Sequence, residues 1–110
     1  MVSYHVRMRM MIHVSMEVEA GNAAIKNGKL MAVVQKFIAD HKPESAYFFA
    51  DGEGRRSGIM VVDLKDPSEI PGMAEPWFLA MNASFKMWPV MTPQDLVNAG
   101  PGIERAVKGA

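Results

Sequence analysis

Residues 4–17, YHVRMRMMIHVSME, alternate between two kinds of side chain and predict the first strand of a sheet. A period of two residues places alternate side chains on opposite faces of a strand. The apolar face comprises Val6, Met8, Met10, Ile12, Val14 and Met16, and the mixed face comprises Arg7, Arg9, Met11, His13, Ser15 and Glu17. We therefore expect one face to cover a core and the other to carry polar groups.

A first amphipathic helix follows this strand. Its apolar residues recur at intervals of three and four, as a helix that buries one side requires. They are Leu30, Val33, Val34, Phe37, Ile38 and His41. The pair Asn27-Gly28 is predicted to interrupt or restart this helix, and Pro43 to end it.

A second helix is predicted from Asp66 to Met81. The Asp66 side chain can accept backbone N–H groups while Glu69 completes a capping box, so the helix start is well marked. Pro76 removes one backbone hydrogen bond further along. We therefore expect this helix to be bent or split near Pro76.

Three more strands complete the pattern. Residues 45–50 are short and aromatic, residues 51–54 predict a hairpin turn, and residues 55–64 form the return strand. Residues 84–91 predict a last strand, at an edge or bulge because it contains Pro89. The fold class is therefore α+β, in the order β-α-β-β-α-β with an antiparallel sheet.

The chain beyond the last strand begins with a short C-terminal helix. Residues 92–95 are a cap followed by proline, and the helix is expected to end near residues 98–100. Pro101-Gly102 is predicted to break the chain again, which leaves residues 103–110 as a polar tail, helical or loose. We expect one domain over residues 1–110, with its core at about residues 4–98.

Composition excludes several classes of function. The 110 residues include 12 basic and 12 acidic side chains, so no net charge attracts nucleic acid or anionic lipid. There is no cysteine, which removes disulfides, thiolate metal sites and cysteine nucleophiles. No apolar run approaches the length of a bilayer span, and the start lacks the apolar core of a secretion signal, so a cytoplasmic location is expected. Closely spaced methionines leave open whether the residues before Met8 are native.

The order of elements, the length and the short helix after the last strand resemble the dimeric α+β-barrel superfamily, which has a ferredoxin-like fold. Antibiotic-biosynthesis-type monooxygenases and muconolactone-isomerase-like proteins belong to it. The resemblance covers about residues 4–98 and is architectural, because no family-specific motif is matched. It implies a homodimer whose sheets enclose an apolar pocket.

His13 is the candidate catalytic residue. It lies mid-strand on the mixed face, and histidine exchanges protons readily near neutral pH. Glu17 lies on the same predicted face and is a candidate partner for His13 or for a polar ligand. The alternative is that both residues only form hydrogen bonds at a dimer contact.

Aromatic residues supply candidate ligand contacts. Tyr47 and Phe49 share one face of the second strand, and Trp88 shares a face of the last strand with Lys86. Such rings around a cavity favour a flat, apolar ligand, although core or interface packing explains them too. Arg9 is a candidate for binding a carboxylate or phosphate of a ligand, or an acidic residue of a partner chain.

The sequence thus predicts a homodimeric barrel that binds a small apolar or aromatic molecule, as a cofactor-free isomerase or oxygenase. The alternative is a non-catalytic oligomeric binding or interaction module, and whether the chain is an enzyme stays open. No cofactor, metal, nucleic acid or membrane partner is expected. The expected partners are a second copy of the chain and a small-molecule ligand.

Overall fold

The computed structural model describes residues 7–109 as four strands and five α-helices. The part of the predicted first strand before Arg7 lies outside these residues. The strands are β1 Met8–Ser15, β2 Ser45–Ala50, β3 Arg56–Leu64 and β4 Ser84–Pro89. The helices are α1 Val18–Lys26, α2 Lys29–His41, α3 Ile70–Met81, α4 Pro93–Asn98 and α5 Gly100–Gly109. None of these helices is long and apolar enough to cross a bilayer.

The strands form one sheet in the order β2-β3-β1-β4, and every neighbouring pair is antiparallel. β1 lies between β3 and β4, so both of its edges are hydrogen-bonded. The edge strands are β2 and β4, and the predicted edge position of Pro89 is confirmed. The α+β class with a four-stranded antiparallel sheet is therefore confirmed.

The core lies between one face of this sheet and helices α1, α2 and α3. The predicted apolar face of β1 supplies its centre, because Ile12 and Val14 are fully buried. Five buried methionines fill space around them, as flexible thioethers do in irregular cores. They are Met10, Met16, Met60, Met73 and Met81.

The element order is β-α-α-β-β-α-β-α-α, which differs from the predicted β-α-β-β-α-β. Two helices, α1 and α2, connect β1 to β2, because Gly28 adopts a left-handed conformation with φ 80° and separates them. Glycine adopts that conformation without the steric penalty that a Cβ atom brings. The restart predicted at Asn27-Gly28 is therefore confirmed.

A bend or a split was predicted near Pro76, and the split is wrong. The chain enters α3 through a short 3₁₀ turn, Pro67–Glu69, whose Asp66 and Glu69 form the predicted capping box. α3 then continues across Pro76 to Met81. Pro76 prevents a bond to the carbonyl of Gly72, four residues earlier, but Gly72 is exposed and that carbonyl can bind water instead.

The predicted break at Pro101-Gly102 is also wrong. Residues 100–109 form α5, with Pro101 in its first turn. A first-turn proline needs no intrahelical partner for its nitrogen, so it starts a helix as readily as it ends one. The C-terminal segment therefore consists of two consecutive helices rather than one helix and a tail.

Truncation of the core methionine Met60 tests this packing. Met60 is 1% exposed, whereas Leu79 on the outer side of α3 is 82% exposed. We expect Met60→Ala to lower the free energy of unfolding by about 2–5 kcal/mol and the control Leu79→Ala to change it by about 0.5 kcal/mol or less. Urea unfolding at one fixed protein concentration measures both. Equal losses in the two variants would contradict the packing described.

Candidate functional site

The sheet face opposite the helices, called the open face below, carries the predicted site. Directly paired residues on neighbouring strands point to the same side of a sheet, so the register defines this face. It comprises Ser45, Tyr47 and Phe49 of β2, Ser57, Ile59, Val61 and Asp63 of β3, Arg9, Met11, His13 and Ser15 of β1, and Ser84, Lys86 and Trp88 of β4.

His13 lies near the middle of the open face. On its two neighbouring strands it is paired with Ile59 and Lys86. Its ring is parallel to that of Phe49, with a centroid separation of 6.2 Å and an interplanar angle of 4°. His13 is half-buried in the single chain.

Aromatic rings border the open face on both edge strands. Tyr47 is 69% exposed, Phe49 39% and Trp88 37%. Adjacent strands lie about 4.8 Å apart, so β2 and β4 are separated by about 14 Å. The floor between them is apolar, because Met11 of β1 pairs with Val61 of β3. The open face therefore presents an apolar surface between two edges that carry aromatic rings.

Arg9 lies at one end of the open face and is already paired with an acid of its own chain. Its guanidinium donates to Glu44, and Arg7 binds Asp63 at 3.1 Å. The hydrogen bond to Glu44 raises the pKa of Arg9 above its ordinary value, so it stays fully charged. A ligand carboxylate would have to displace Glu44 to reach Arg9, and the ligand-binding role of Arg9 stays a prediction.

Glu17 does not lie on a strand, which corrects its predicted placement beside His13. β1 ends at Ser15, and Glu17 is the N-cap of α1. Its carboxylate accepts the backbone N–H groups of Ala20 at 2.8 Å and Glu19 at 3.0 Å. These bonds lower the pKa of Glu17. Such acceptors stabilise a helix start because the first N–H groups of a helix lack partners within it.

Lys86 is the residue that sequence reasoning left out of the site. The period of two from Trp88 placed it on the same face of β4, but only the register between β1 and β4 brings it opposite His13. Lys86 forms no ion pair with any residue in the described range 7–109. The centre of the open face therefore holds a lysine and a histidine on an apolar floor.

A separate cavity of about 200 Å³ lies on the helical side, between α2 and α3. Its polar groups include His41 and the Lys36–Asp40 ion pair, which has a nitrogen–oxygen distance of 2.8 Å. That pair satisfies both charges on the surface of one helix. Within residues 7–109 no group of three or more His, Asp or Glu side chains is placed to hold a metal ion. The open face is therefore the stronger candidate site.

The fold is similar to that of an uncharacterised protein from Thermotoga maritima. The two structures align with a TM-score of 0.55 and 10% sequence identity, over 78% of this chain and 100% of the other. No protein-family model matches the chain, and no curated protein matches it. At this identity the similarity shows a shared fold and carries no information on activity.

The capping role of Glu17 predicts a pH-dependent stability. Because its pKa is lowered in the folded chain, its contribution is complete above the unfolded value of about 4.3 and is lost as pH falls below it. We expect Glu17→Gln to lower the melting temperature at pH 7 and to differ little from the parent near pH 3. Circular dichroism at pH 7, 5 and 3 measures this change.

Glu75→Gln is the control, because Glu75 is exposed within α3. It should leave the melting temperature unchanged at each pH. If Glu17→Gln lowered the melting temperature by the same amount at pH 3 as at pH 7, the capping role of the carboxylate would be contradicted.

Proposed function

We propose that two copies of this chain pair through their open faces and form a ferredoxin-like α+β barrel around a small-molecule pocket. The strand order β2-β3-β1-β4 supports this fold, because the helices that connect the strands all cover the other face. Large apolar side chains in water favour association, and a second copy of the same face is a self-complementary partner. The proposed ligand is small, apolar or aromatic.

The position of His13 carries the proposal. It is the titratable residue nearest the middle of the face, and it packs against the ring of Phe49. Tyr47 and Trp88 lie on the two edge strands and would position a flat ligand over it. His13 would then take a proton from one atom of the substrate and return it to another, which is an isomerisation. Cofactor-free oxygenation of an activated substrate is the related alternative.

Lys86 indicates that the proposed ligand carries a negative charge. When two open faces meet, the ammonium group beside His13 loses water and needs a negative partner. The nearby acids Asp63 and Glu44 already form ion pairs with Arg7 and Arg9. A carboxylate or phenolate on the ligand would supply the missing charge, so the proposed ligand is an aromatic acid.

A second candidate function is a non-catalytic interaction module. The floor residues Met11, Ile59 and Val61 are large and already half-buried in a single chain. Two such floors could interdigitate and fill the barrel, which would leave no room for a ligand. The oligomeric state and the presence of a bound molecule separate the two functions.

Native mass spectrometry of protein purified from its host tests the barrel. We expect a dimer of the 12.1 kDa chain that carries an additional mass, which is released under denaturing conditions. A dimer without additional mass would favour the interaction module. A monomer at tens of micromolar concentration would overturn the proposed pairing.

Replacement of His13 by alanine separates a ligand contact from a packing contact. We expect His13→Ala to remain a dimer and to lose the additional mass, with Ser15→Ala as the control on the same strand face. Size-exclusion chromatography with light scattering reports the dimer. Loss of the dimer in His13→Ala alone would assign His13 to self-association.

Lys86→Met tests the acidic group of the ligand with a side chain of similar length. We expect it to weaken the binding of 2-naphthoate by about tenfold or more and to leave the binding of the neutral 2-naphthamide nearly unchanged. The reason is that a hydrogen bond to a charged group contributes about 1.5–3 kcal/mol. Isothermal titration calorimetry measures both affinities. An equal loss for the two probes would contradict recognition of a negative charge.

A further inference from the structure

Helices α4 and α5 form an arm, residues 93–109, that stands away from the rest of the chain. Every residue of the arm is exposed or half-exposed. The Cα radius of gyration is 17.4 Å, whereas a compact domain of this length has about 13 Å. The longest dimension of the chain is 56 Å. The arm therefore leaves its own surface largely uncovered.

The arm is amphipathic. Ala99 keeps a right-handed helical conformation between α4 and α5, and the N–H of Ile103 donates to its carbonyl at 3.0 Å. The two helices thus continue nearly as one. Leu96, Ile103 and Val107 follow at intervals of seven and four residues, which places them on one side, and each is more than half exposed. Beside this stripe Glu104 pairs with Lys108 at 2.8 Å.

An apolar groove of about 510 Å³ lies elsewhere on the chain, between β2 and α2. It is lined mainly by hydrophobic side chains, which include Met31 and Val34 of α2 and Phe48 of β2. The Phe48 ring lies over Gly58, where an added Cβ would be only 3.0 Å from it. Met31 and Phe48 are about half exposed, so the groove is open to another helix.

The arm and the groove of one chain lie at opposite corners of the sheet. The arm follows β4, whose last residue Pro89 pairs with Met10 at the start of β1. The groove lies at the other edge strand, where Phe49 pairs with Ser57, and Ser57 pairs with Ser15 at the end of β1. Three strand spacings and five residues along a strand separate these corners by about 22 Å.

We propose that the arm of one chain packs its apolar side into the β2–α2 groove of a second copy, which returns the same contact. The occupant and the receptor are then both present in this chain, and two equal contacts close a dimer without open ends. The 17 residues of the arm span about 25 Å as a helix, enough to cross from one copy to its partner. Arg56 at the groove forms no ion pair among the described residues 7–109. Glu104 beside the apolar stripe has the opposite charge, and its pair with Lys108 is solvent-exposed and therefore weak.

This exchange goes beyond the proposed ligand site, because it depends on the arm and the groove and not on what the open faces enclose. It also adds to that site. The arm of each copy would hold two open faces together even where a ligand, rather than side chains, fills the space between them.

Pairwise cysteine cross-linking tests the exchange, and the cysteine-free sequence makes each introduced thiol unique. Met31→Cys and Ile103→Cys are made in separate full-length chains and co-expressed, so that any disulfide between the two positions joins two molecules. We expect a Met31–Ile103 cross-linked peptide by mass spectrometry after mild oxidation. Arg105→Cys, on the polar side of the arm, is the matched control and should cross-link to Met31→Cys at least tenfold less.

Equal cross-linking from both arm positions, or none from either, would overturn the exchange. Both positions are exposed in the single chain, and far-UV circular dichroism confirms that each variant is folded. A dimer that persists by light scattering without the cross-link would refute the arm contact and leave the pairing of open faces standing. A cross-link in a protein that binds no ligand would support the exchange and refute the ligand site instead.

Discussion

The rest of the structure depends on the placement of β1 between β3 and β4. Because side chains alternate along a strand, a shift of register by one residue would exchange the two faces of β1. A shift by one residue would put Arg9 and His13 into the core and expose Ile12 and Val14. The alternation of the sequence makes that exchange very costly. The same eight residues therefore fix both the core and the chemistry of the open face.

The consequence is a sheet with two unlike faces. Three helices cover one face, and the described part of the chain provides no helix to cover the other. The aromatic residues of the edge strands β2 and β4 are therefore left exposed. An open face of this kind is stable in water only if its apolar area is modest or if another molecule covers it. The rings on its two sides and the charged groups near its centre distinguish it from a purely apolar interface.

Much of this fold could be predicted from local chemistry. Residues 45–50 are a strand as predicted, and the Asp66–Glu69 capping box occurs as predicted, because β-branched or aromatic runs and cap residues act over a few positions. Long-range geometry could not be predicted in the same way. Lys86 could be assigned to the site only from the register of β1 with β4.

The errors in prediction also have physical causes. Glu17 continues the alternation of β1, so the period of two assigned it to the strand, although its carboxylate in fact caps the next helix. Pro101 was interpreted as a helix end, whereas proline in a first turn starts a helix. In both cases the same residue type occurs in two kinds of local structure, and the neighbouring backbone determines which of them forms. The open face itself was predicted correctly because a period of two leaves no such choice in the middle of a strand.

The open face, the arm and the β2–α2 groove are uncovered in the described residues of a single chain, and in the proposed dimer a second copy would cover all three. The open face occupies one side of the sheet, and the arm begins after the edge strand that borders it. Near Thr92 the arm also lies close to the charged end of the face, because the negative charge of Asp95 acts on Arg9. Twelve basic and twelve acidic residues cancel, so no net repulsion opposes contact between identical chains. In the proposed dimer one two-fold axis would relate the contact between open faces and the two arm–groove contacts, because each copy returns the contact it receives.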